Sequence, residues 1–187
     1  PSLSIQAASY ATVHCISRLR PGIKRYSMHC SRLRGPWQYT PLATTRWTRA
    51  CQSEETGTEV PCPGTMNVPC DWSNSLGQDF QGKVLFQRHY HKPTGLKDED
   101  NVRIRIEQVN ALADVFLNHE AIGTVKAEDG STFFDIEDKL EHRNLLEIIV
   151  DFPLVDDQSG QLVTVQDLSG GITGEIQLEI LTADSLN

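Results

Sequence analysis

From Gly82 onward the chain alternates apolar and polar residues in short runs, and glycine, proline and acidic turns interrupt them. Residues 83–91 set Val84, Phe86, Arg88 and Tyr90 on one face before Pro93-Thr94-Gly95 ends the run. Val102, Ile104 and Ile106 alternate with Arg103, Arg105 and Glu107, the period-two pattern of a strand with one buried face. Residues 114–118 form a shorter run, and Asn118-His119-Glu120 reads as a tight turn into residues 121–125. Residues 132–135 follow, then a polar stretch at 138–144 with room for one helical turn, then the nearly continuous apolar run 145–150. Residues 153–160 read as an Asp-rich loop and 161–165 as an edge strand. After Gly170-Gly171, Ile172, Ile176, Leu178 and Ile180 alternate with Glu175, Gln177 and Glu179.

This spacing predicts about eight or nine short strands and an all-β, antiparallel β-sandwich. The gaps are too short for the helices that an α/β fold threads between parallel strands. Upstream, Trp37, Tyr39 and Trp47 are scattered among Pro and Arg, and residues 54–69 read as an extended loop with one strand near 65–68.

A chain of 187 residues supports one sandwich with a core and is too short for a sandwich plus a catalytic barrel. No stretch approaches the ~20 apolar residues of a membrane span. Residues 1–50 hold eight of the 17 Lys and Arg residues and none of the 25 acids, so the rest is strongly acidic and the net charge is −8. The acidic body speaks against nucleic acid as a partner. Residues 1–30 are therefore read as a basic head, disordered or extended, with 31–183 as the sandwich and 184–187 as a tail. A presequence, an arm for an acidic surface, and sequence ahead of the true domain start all fit that head. Pro1 as first residue fits processing or truncation.

Five cysteines, Cys15, Cys30, Cys51, Cys62 and Cys70, form no CxxC pair that would point to zinc. Cys62 and Cys70 are spaced to bridge in an oxidising compartment; free thiols fit equally, so the compartment stays open.

Several motifs in order resemble the opening sandwich of family 2 glycoside hydrolases. They are Leu33-Arg-Gly-Pro-Trp37, Val68-Pro-Cys-Asp-Trp72, Phe80-Gln-Gly82 and Phe86-Gln-Arg-His-Tyr90, then residues 113–123, Phe133-Phe-Asp-Ile136, Asn144-Leu-Leu-Glu-Ile148 and Gly170-Gly-Ile172. The resemblance covers about 150 residues and implies a jelly-roll, galactose-binding-like domain without catalytic residues, since that family carries its two catalytic glutamates in a later barrel. One departure is His119, standing where the family's hairpin has Gly; there His must avoid the left-handed conformation or bear its cost.

A retaining glycosidase holds two carboxylates ~5 Å apart in a cleft; the acids here cluster in loops, where solvated charge is the ordinary reading. His89 and His91 share a strand face but lack an evident third metal ligand. Trp37, Trp47 and Trp72 are the carbohydrate candidates, because flat indoles stack on the C–H faces of sugars, with packing in the core as the alternative. Asp71, Asn74 and Gln78 flank Trp72 as a polar rim. Arg88, on an apolar face, fits ligand binding or a structural salt bridge to a carboxylate. Asp156 and Asp157, with residues 98–100, offer oxygens for a structural calcium ion, and no other cofactor is indicated.

The resulting expectation is a non-catalytic, carbohydrate-binding-like sandwich with no nucleic-acid or membrane partner. The alternatives are the N-terminal scaffold of a longer glycoside hydrolase of β-galactosidase or β-glucuronidase type, and an interaction module that has lost sugar binding.

Overall fold

Alternating burial builds the structure, a computed structural model that describes residues 26–48, 52–156, 162–163 and 169–183. The chain runs through β1 (Tyr26–Arg32), β2 (Trp37–Trp47), β3 (Ser53–Gly57), β4 (Gly64–Met66) and β5 (Cys70–Asp71) to a one-turn helix α1 (Ser73–Leu76). Then come β6 (Gly82–His91), β7 (Asn101–Ile106), β8 (Leu112–Leu117), β9 (Glu120–Lys126) and β10 (Thr132–Asp135). A short 3-10 turn (Glu137–Lys139) leads to β11 (Arg143–Phe152), β12 (Leu154–Asp156), β13 (Leu162–Val163), β14 (Gly171–Ile172) and β15 (Ile176–Ala183).

Two sheets dominate. The larger has the order β13-β12-β2-β6-β11-β8-β9, with β3 and β4 also paired to β2; the smaller has the order β1-β15-β7-β10. The pairings are antiparallel apart from β12 with β2. The larger sheet buries Val84, Phe86, Val115, Leu146, Ile148 and Val150, and the smaller buries Ile104, Ile106, Ile176 and Leu178. These rows join one hydrophobic core. Burying one face of each strand against the other sheet is the driving term. Among the described residues no helix is long and apolar enough to cross a membrane.

The all-β sandwich is as expected, with differences at the margins. A strand already runs over Tyr26–Arg32, ahead of residue 31, paired to β15 along its length. Trp37, Tyr39 and Trp47 lie on one eleven-residue strand. Pro41 hid that strand in the sequence, because proline lacks an N–H and normally marks an edge or bulge. Ile172 belongs to a separate ladder with Cys70, apart from the last strand.

The Asn118-His119 turn has φ of 52° and 68°, so His119 does take the left-handed conformation. Local bonds hold it there. Asn118 Oδ1 accepts from the Leu145 N–H at 2.9 Å, and His119 Nδ1 lies 2.7 Å from the Glu147 carboxylate.

Trp72 ties the core to the loops. It stacks on Phe86 at 6.4 Å and 11°, meets Phe80 and Phe152 edge-on, and leaves no room for a side chain at Gly170. A Cβ on Gly170 would lie 1.9 Å from the indole. Trp72→Ala is expected to cost about 3–5 kcal/mol, and Gly170→Ala about 1–3 kcal/mol through overpacking at the same contact. Urea unfolding followed by circular dichroism measures both.

Candidate functional site

The residues singled out in the sequence do not converge. Trp37 and Trp72 are both 0% exposed. Trp37 Nε1 donates to the Leu33 carbonyl at 2.7 Å, and Trp72 Nε1 to the Phe80 carbonyl at 3.3 Å. With faces covered and N–H groups satisfied inside the protein, neither indole has a surface for a sugar. Both fill the core, the alternative weighed above.

Asp71, Asn74 and Gln78 are exposed around α1. Asp71 Oδ1 accepts from the Ser73 N–H at 2.9 Å and from the Ser73 hydroxyl. Those two bonds hold the Asp71 carboxyl below the usual carboxylate range. Asp71 thus closes a local turn.

Arg88 ends the inward row of β6 and donates from Nη1 to the Pro36 carbonyl at 2.9 Å. The expected salt bridge is corrected: a backbone oxygen stands where a carboxylate was anticipated. Its Nε and the hydroxyl of Tyr90, two positions along, are buried without a hydrogen-bond partner. Burial pushes the Tyr90 hydroxyl well above its ordinary range.

His89 and His91 are exposed, with His91 edge-on to His142 at 5.9 Å. Among the described residues no group of His, Cys, Asp or Glu is arranged to hold a metal. Asp157 and the Asp156 side chain lie outside the described residues. Asp100 Oδ2 accepts from the Lys97 N–H at 2.9 Å and closes its own turn. Cys30, Cys62 and Cys70 are free thiols, and burial raises the Cys70 thiol above its usual value. Cys15 and Cys51 lie outside the described residues.

Trp47 is different, and one irregularity in β2 explains why. Pro41 pairs with the inward Val84, but Ala43 pairs with the outward Lys83. The bulge at Leu42 adds one residue, and a one-residue shift sends every later side chain to the opposite face. Trp37 and Tyr39 therefore point into the core, whereas Thr45 bonds Asp151 on the outer face at 2.7 Å. Trp47 follows Thr45 and is half-buried.

A cavity of about 650 Å³ opens there, lined by Trp47, Gln81, Leu112, Lys126, Phe152 and Pro153 among others. The size and the largely apolar wall match an ordinary small-molecule site. Its polar groups are few: Lys126, Glu128 and the Gln81 amide, whose Oε1 is buried without a partner. Such a wall can stack the apolar face of a ring on the indole and bond hydroxyls at the margin. Glu128 is the one carboxylate among the described lining residues, and a retaining hydrolase uses two ~5 Å apart.

No protein-family model and no curated protein matches the chain. Solved structures do. The chain is similar to a β-glucuronidase of Bifidobacterium dentium complexed with coumarin-3-O-glucuronide, at TM-score 0.63 and 20% identity, over 84% of this chain and 31% of that one. The likeness is of fold. A family 2 β-galacturonidase from Eisenbergiella tayi matches at TM-score 0.59 and 18% identity, over 86% of this chain and 26% of that one. A β-D-glucuronidase of Dictyoglomus thermophilum matches at TM-score 0.59 and 14% identity, over 87% and 29%. The chain spans less than a third of the length of these hydrolases. Structural neighbours thus share with this chain a β-sandwich fold that forms part of these family 2 hydrolases.

Acrylamide quenching tests the placement of the three indoles. Only Trp47 should be readily quenched, and Trp47→Phe should remove the quenchable fraction and leave the shielded emission of Trp37 and Trp72.

Proposed function

We propose that this chain is a non-catalytic, carbohydrate-binding β-sandwich that takes sugar at Trp47. The observation behind this reading is the Trp47 cavity: a half-buried indole in a mainly apolar wall, with Lys126 and Glu128 among the lining residues. A sugar's C–H face suits the indole, and its hydroxyls suit the few polar side chains of the lining. The family 2 relationship of the fold supports a carbohydrate ligand by association. Trp37 and Trp72, with Asp71, Asn74 and Arg88 around them, act in this reading as structure rather than as ligand contacts.

A second reading is that the sandwich serves as the scaffold of a longer glycoside hydrolase. What favours it is the partial coverage of its neighbours, each several times longer than the matched region.

Calorimetry with a panel of neutral mono- and oligosaccharides tests the first reading. Weak binding is expected, and Trp47→Ala should reduce the affinity at least about tenfold, as loss of an aromatic platform does. Absence of heat with every saccharide, or an affinity unchanged in Trp47→Ala, contradicts it.

A further inference from the structure

The outer face of the larger sheet continues beyond the Trp47 cavity. A second hollow of about 270 Å³ adjoins it, lined by Lys83, Asp114, Thr124 and Asp151, and shares Leu112 and Lys126 with the first. Strand register sets out its wall. Lys83, Asp151, Leu112 and Lys126 are cross-strand partners in one row over β6, β11, β8 and β9. Ile149, Asp114 and Thr124 form the neighbouring row. At the usual strand spacing the first row runs roughly 14 Å.

The polar groups in this hollow fall into two sets. Lys83 is paired with Glu55 at 3.3 Å, and Asp151 accepts from the Thr45 hydroxyl at 2.7 Å, so both are held in place. The side chains of Asp114, Thr124 and Lys126 are exposed and have no hydrogen-bond or ion-pair partner among the described residues. They supply an acceptor, a hydroxyl and a donor side by side, next to an apolar cavity that ends in an indole.

Charge narrows the ligand. Two lysines face two aspartates in the hollow, Glu128 stands beside it, and the chain carries −8 overall. An extended polyanion would meet repulsion there, whereas uncharged hydroxyls can use both signs.

We propose that the two hollows are contiguous subsites for a neutral oligosaccharide of at least two units. One ring lies on Trp47, and the next spans Asp114, Thr124 and Lys126. This rests on the sugar-binding reading above and adds to it a second subsite, a minimum ligand length and a charge class.

The test is a calorimetric length series on the wild-type chain, with glucose, galactose and xylose against cellobiose, lactose, xylobiose and the matching trimers, and with oligogalacturonides as charged counterparts. For the preferred sugar, the dimer or trimer should bind at least about tenfold tighter than the monomer, the increment expected for two added hydrogen bonds. Asp114→Ala and Thr124→Ala, both at exposed positions, should remove that gain and leave monosaccharide affinity unchanged. Equal binding of monomer and oligomer, or a gain that survives both substitutions, overturns the second subsite while binding at Trp47 stands. Tighter binding of the oligogalacturonides overturns the charge class. No binding of any saccharide overturns both this proposal and the reading it rests on.

Discussion

The two-residue period of the strands, interrupted in β2 at Leu42, decides which side chains reach the core and which reach solvent. A strand that keeps its register alternates faces without choice. Along β6, β7 and β8 the face alternation is kept through the core positions, and Val84, Phe86, Ile104, Ile106 and Val115 close the interior at 0% exposure. In β2 the extra residue at Leu42 reverses the alternation, so one strand supplies Trp37 to the core and Trp47 to the outer wall. Had the alternation run unbroken through residues 41–43, Trp47 would share the face of Trp37 and there would be no aromatic platform on the outer face.

Polar groups on the outer faces are organised to match. Glu179, with a side chain only 2% exposed, is held by Arg103 at 2.7 Å and Arg105 at 3.9 Å on the smaller sheet. Phe133 lies over the Arg103 guanidinium at 4.3 Å and shields the pair. On the larger sheet Glu147 accepts from Gln87 at 3.0 Å and meets His119 at 2.7 Å. Breaking such a pair leaves an uncompensated buried charge, which destabilises more strongly than the pair itself stabilises. By contrast, the side chains of Asp114 and Thr124 are exposed and have no partner among the described residues.

The core strands were legible because local pattern and tertiary burial agree there. Residues 83–91, 102–106 and 145–150 read as strands in sequence and lie within strands of the structure. The edges were less legible. The exposed positions of β1, Ser27 to Arg32, carry no alternation to read, and β1 is fixed by its ladder with β15, some 150 residues away in sequence. The candidate site was legible only in part. All three tryptophans were visible as candidates, but burial of Trp72 depends on Phe86, Phe152 and Gly170 from distant segments. Exposure of Trp47 depends on a bulge, for which Pro41 was the only local sign, and that proline read as a loop.

The three indoles divide between two places, Trp37 and Trp72 in the core and Trp47 on the wall of the outer cavity. The most direct measurement is an NMR titration that follows the indole N–H resonances as a neutral oligosaccharide is added. The account predicts three resolved signals, of which only that of Trp47 shifts, while those of Trp37 and Trp72 stay fixed and exchange slowly with solvent. Movement of the Trp37 or Trp72 signal with Trp47 unchanged would contradict it.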